Sequence, residues 1–136
     1  MSPGRAGWSA VAVAAGVLAT GASYWRLPYS QLSLPSALPA VGLLVVGAAA
    51  TLLRTRGIAS TTAAMLVAGS AVPLAVLTRV ALDVVRDATS HNLWPLELVI
   101  AAVVGLACAL AGALAGTVLA ALVWRRAPAS QERSRP

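Results

Sequence analysis

Three of the four acidic residues of this chain, two of its ten arginines and its single histidine fall between positions 79 and 97: Arg79, Asp83, Arg86, Asp87, His91 and Glu97. One histidine among three carboxylates invites two chemistries, metal ligation and general acid–base catalysis. Zinc sites draw on several His or Cys at recognisable spacings, and here the carboxylates are scattered and the only cysteine, Cys108, lies in an apolar run. A general acid or base needs a nucleophile or a polarised substrate within reach. Ser90 adjoins His91, but adjacency in a turn is not a triad. No catalytic residue, metal or cofactor is expected, and a lone histidine outside the apolar segments cannot ligate a haem on both sides.

The spacing instead favours structure and contact. Arg79, Asp83 and Arg86 or Asp87 recur at three or four residues, one stripe of a helix. Acids near the C-terminal end of a helix oppose its dipole, so Asp83 and Asp87 need partners, supplied by Arg79, Arg86, Arg26 or the N-terminus of the following helix. Arg79 is expected to reach the interface along its own methylenes. The run "SHNLWPLE" reads as a helix start: Pro95 suits a first helical position, Glu97 suits the first turn, and Ser90 or Asn92 can cap free N–H groups. Trp94 belongs at an interface, like Trp8, Trp25 and Trp124 near the other helix ends. Arg26, Arg79, Asp83, Arg86, Asp87, His91, Trp94 and Glu97 together form a candidate polar docking face.

These residues are set between long apolar segments. The 136 residues are 59% hydrophobic and 10% charged, with mean hydropathy +0.82; soluble domains carry about 25% charged residues. Four segments, about 7–25, 37–54, 58–86 and 95–124, approach or exceed the ~20 residues that cross a bilayer. Only helices satisfy their own backbone in lipid over such lengths. The expectation is one all-α domain over 1–136, a bundle of four transmembrane helices with a basic tail, 125–136. The first segment also fits a secretory signal peptide, with Arg5, an apolar core and small residues near "ATGAS"; against that, Tyr24 and Trp25 fit an interfacial helix end. In the fourth, Gly112 and Gly116 of "GALAG" form a small-xxx-small pair, with Gly105 on a neighbouring strip, suited to close packing within the bundle or between copies. Pro73 marks a kink in the third.

Charge orients the bundle. With four crossings, Arg5, Arg54, Arg56, Arg125, Arg126, Arg133 and Arg135 share one side with Glu132, while Arg26, Arg79 and Arg86 balance Asp83, Asp87 and Glu97 on the other. The basic side stays in the cytoplasm, which places both termini inside. Nucleic acid is not an expected partner, because the arginines separate apolar runs instead of lining a polar surface. Arginine without lysine, amid abundant Ala, Val, Gly and Leu, reads as a GC-rich bacterial genome and hence an inner-membrane protein. The expected function is a non-catalytic accessory or scaffold subunit, with the bilayer and a membrane-protein partner or a second copy as its company. The alternatives are an oligomeric transporter or channel component, and a membrane enzyme acting on lipid or quinone at the outer interface. Coupled transporters use an ionisable group near midplane, and the apolar segments hold only Ser and Thr there.

Overall fold

The computed structural model describes residues 3–27, 37–86 and 93–126. All regular structure among them is helical: α1 (Pro3–Tyr24), α2 (Ala40–Thr55), α3 (Thr61–Gly69), α4 (Ala71–Arg86) and α5 (Trp94–Arg126). The helices pack into four rods, because α3 and α4 form one broken rod. Three spans, Gly4–Tyr24, Thr61–Val85 and Trp94–Val123, are long and apolar enough to cross a membrane, whereas α2 has only 16 residues. The 33 residues of α5 rise about 50 Å at 1.5 Å each.

Local chemistry sets the boundaries. Pro3 occupies the first position of α1, where its missing N–H costs nothing. Helix α2 ends in a Schellman motif: Ile58 N–H donates to the carbonyl of Leu53 at 3.0 Å and Gly57 N–H to that of Arg54 at 3.1 Å. This closure needs a left-handed residue, and Gly57 supplies it at φ 63°. Ser60 caps α3 by accepting from Ala63 N–H at 3.2 Å.

The break at Ser70 follows from Pro73. Proline has no N–H for the carbonyl of Gly69, four residues back, and its ring crowds that group. Ser70 N–H still bonds to Leu66 and Leu74 N–H to Ser70, so the rod bends without coming apart. The deflected Gly69 carbonyl runs against α5, where a Cβ on Gly105 would meet it at 2.5 Å. Only glycine fits there.

The interior is made of small residues and the exterior of large ones. Stripes at four-residue spacing are buried: Ala12, Gly16, Thr20 and Tyr24 on α1; Gly42, Val46 and Ala50 on α2; Ala101, Gly105, Ala109 and Ala113 on α5. Leu18, Leu44, Leu52, Leu66, Leu114 and Leu122 face outward, each at least half exposed. Small residues let helix backbones approach closely where lipid removes any hydrophobic drive between helices.

The most extensive contact joins α2 to α5, which run parallel. A Cβ on Gly112 would lie 2.1 Å from the carbonyl of Gly47, and one on Gly116 would lie 2.8 Å from that of Thr51. Thr51 Oγ1, with its hydrogen placed toward either of two carbonyls, reaches that of Gly112 at 2.8 Å and that of Gly47 at 3.0 Å. The small-xxx-small pair of α5 is therefore filled from within the chain.

Candidate functional site

The polar residues gather at the two ends of the bundle. At the first end, α1 terminates in a tight turn, with Trp25 N–H bonded to the carbonyl of Gly21, Arg26 N–H to Ser23 and Leu27 N–H to Tyr24. Carbonyls at a helix C-terminus lack intrahelical partners. Arg79, from α4, answers one of them and the turn beyond it: Nη1 donates to the carbonyl of Tyr24 and Nη2 to that of Leu27 at 2.6 Å. Its Nε donates to Asp83 Oδ2 at 3.1 Å, one turn on. The guanidinium also sits 5.6 Å from the centre of the Tyr24 ring.

Arg79 is only 8% exposed, so the side chain does not extend outward to water. It turns inward because a planar fork of donors meets converging carbonyls at a helix end, where cations are favoured. Asp83 balances the charge and, by binding a cation on its own helix, offsets its unfavourable place near the C-terminal end of α4.

Tyr24 and Trp25 likewise differ from an interfacial belt. Tyr24 is buried, and Trp25 is half-buried with Nε1 donating to the carbonyl of Ala75 at 2.9 Å. The Trp25 ring lies over Gly21, where any Cβ would meet it at 2.4 Å. Both rings pack between α1 and α4 because Gly21 opens a slot for one and the stripe ending at Tyr24 carries the other inward.

The remaining members of the candidate face divide. Glu97 is half-buried in the first turn of α5 and, with Arg79 and Asp83, lies within electrostatic reach of Tyr24. Arg26 is exposed, and Trp94, the first residue of α5, is 44% exposed. Arg86 ends α4. Asp87 and His91 lie outside the described residues, as do Ser90 and Asn92. Among the described residues no group of three His, Cys, Asp or Glu could hold a metal.

The opposite end carries a second polar join that spacing did not reveal. Arg54 Nε lies 3.2 Å from both Thr61 Oγ1 and Thr117 Oγ1, whose hydroxyls are 3.2 Å apart, and Thr117 Oγ1 is 2.9 Å from the carbonyl of Ala113. Three rods meet there. Beside it Arg56 stacks over Trp8 at 5.9 Å, and Arg5 Nη2 reaches the carbonyl of Gly57 at 3.4 Å.

No family model, curated protein or solved structure matches this chain. What the arrangement can do therefore rests on its own geometry. A guanidinium and an indole bolt α1 to α4; a threonine and two glycines bolt α2 to α5; an arginine and two threonines close the far end. The exception is Thr20, whose Oγ1 is buried without a hydrogen-bond partner against the backbone of Gly42.

Proposed function

We propose that this chain is a small multi-pass protein of a bacterial inner membrane, acting as a non-catalytic accessory or scaffold subunit. Four crossings place both termini in the cytoplasm and the Arg79 end outside, where a polar face docks a membrane-protein partner or a second copy. Three helices of membrane-spanning length support insertion, and so does the pattern of small residues inside and leucines outside. Helix α2, at about 24 Å, spans a locally thinned bilayer or is completed by the residues before it. The excess of arginine at the Arg54 end supports the orientation.

The observation that carries the scaffold reading is the use of the interior polar side chains. Thr51, Arg54, Thr61, Thr117, Trp25 and Arg79 each bond from one rod to another. Hydroxyls and cations committed in this way hold a fixed shape. That commitment supports a scaffold over a solute path or a substrate site. Arg26 stands exposed in the turn whose carbonyls Arg79 binds, and Trp94 stands exposed at the start of α5, a cation and an aromatic anchor of the kind that fixes register and gives affinity in protein contacts.

Arg86→Glu combined with His91→Ala tests the reading. Insertion and thermal stability should stay close to wild type, while recovery of the proteins that copurify in mild detergent falls sharply. Unchanged recovery, or failure of the variant to accumulate in the membrane, contradicts the docking face.

A further inference from the structure

We propose that the groove between α1 and α2 at the Arg54 end holds the headgroup-proximal part of one acyl chain of an anionic phospholipid, with the phosphate gripped by Arg56 and Arg5. The inference rests on the membrane-spanning reading above. The cavity, of about 250 Å³, is walled by Val11 and Ala15 of α1 and by Ala48 and Leu52 of α2, and is backed by the buried Leu53. Val11 and Leu52 are more than half exposed on the outer surface of their helices, so the groove opens sideways, toward lipid. From Trp8 to Ala15 the wall runs about 10 Å along α1. Small side chains on both helices leave the space: Ala12, Ala15, Ala48 and Ala49 all line it.

One end of this apolar groove is basic. Trp8 and Arg56 line it, with the guanidinium over the indole at 5.9 Å. A guanidinium held beside an indole carries N–H donors that match a phosphate in fork geometry. Arg5 is brought alongside by its contact with the carbonyl of Gly57. Both arginines are exposed. The two acids among the described residues, Asp83 and Glu97, belong to the opposite end, and the first turn of α1 carries none. An aliphatic slot ending in two arginines and a tryptophan complements a ligand with a hydrocarbon tail and an anionic head. A zwitterionic lipid would fill the slot but place its own cation against the arginines.

Native mass spectrometry of the full chain, released from mild detergent after titration with phosphatidylglycerol or phosphatidylcholine of matched acyl chains, tests this. We expect one phosphatidylglycerol to be retained about tenfold or more in preference to phosphatidylcholine, as two near-surface arginines imply. Arg5→Gln with Arg56→Gln should erase the preference; Arg133→Gln with Arg135→Gln, an equal loss of charge, should not. Ala48→Leu, on an exposed wall, should lower retention of both lipids and leaves the arginines intact, so it decides the matter even if the double variant folds poorly. Equal retention of the two lipids by wild type, equal loss in both charge variants, or undiminished retention by Ala48→Leu overturns the site. Alkaline extraction of the membranes separates the two readings: a chain washed off contradicts membrane spanning, whereas a chain that resists washing but shows no lipid preference contradicts only the groove.

Discussion

The guanidinium of Arg79 closes the end of a helix to which it does not belong: it donates to the carbonyls of Tyr24 and Leu27, fifty-five and fifty-two residues earlier, while its Nε holds Asp83. The pair Arg79–Asp83 is thus a joint between α1 and α4 more than a surface ion pair, whose usual worth is about 0–1 kcal/mol.

Removing the cation should therefore cost more than removing the anion. We expect Arg79→Leu to lose about 1–3 kcal/mol, because the Leu27 carbonyl loses the donor Arg79 gives it and the Tyr24 carbonyl keeps only the Leu27 N–H at 3.3 Å, and a buried acceptor left without a donor costs ~1–3 kcal/mol. Asp83→Ala should cost less, and Arg79→Leu should not rescue it, since the leucine still withdraws the donor from the carbonyls of Tyr24 and Leu27. Reversible unfolding in micelles of both single variants and the double variant gives the coupling. Strictly additive losses would show that the two side chains are not coupled, and rescue, or a double variant no worse than Asp83→Ala, would show that Arg79 acts only on Asp83.

Glycines of α5 are expected to differ sharply from those at the start of α1. Gly112→Ala places a methyl group 2.1 Å from the Gly47 carbonyl, which forces α2 from α5 at a cost of about 1–3 kcal/mol. Gly7→Ala meets nothing within 4 Å and should be neutral or stabilising, by up to ~1 kcal/mol from helix propensity. Thermal unfolding of the two variants in the same detergent makes the comparison; a tolerant Gly112 would mean that the α2–α5 contact is looser than described.

Thr117→Val keeps shape and removes the hydroxyl that Arg54 and Thr61 share. An interhelical hydrogen bond in a membrane is worth about 0.6 kcal/mol on average, and two are lost with a cation left less well satisfied, so a loss of ~1–2 kcal/mol is expected. Thr78→Val, whose hydroxyl bonds only to Leu74 of its own helix, is the control and should change stability little.

Much of this arrangement is written in the sequence as periodicity. Apolar length outlines the rods, Pro73 marks the bend at Ser70, and Gly105, Gly112 and Gly116 mark close approach. The order of partners is not written there: small residues recur so often in this chain that nothing assigns Gly112 to Gly47 instead of to another copy. Arg79 and Asp83 are readable as an i, i+4 pair, yet the burial of Arg79 depends on where α1 ends in space. Tyr24 and Trp25 look interfacial because aromatic residues at a helix end usually are; the four-residue stripe Ala12, Gly16, Thr20, Tyr24 is the signal that the first of them points inward. Arg54 gives no sign of its threonines because Thr61 and Thr117 lie on other rods.

Orientation can be measured directly. In a Cys108→Ala background, a cysteine at Ser33 or Ser90 should react with an impermeant thiol reagent added to intact cells, and a reporter fused after Arg135 should be active only in the cytoplasm. Reaction of both sites only after permeabilisation would reverse the assignment and place the Arg79 end inside.

The docking claim is tested most directly by photocrosslinking in living cells, with a photoreactive residue at position 91 and a control at position 114, on the outward-facing side of α5. The account predicts one discrete crosslinked species of higher mass from position 91, absent from position 114 and abolished by Arg86→Glu. No protein adduct from position 91, or the same adducts from both positions, would contradict it.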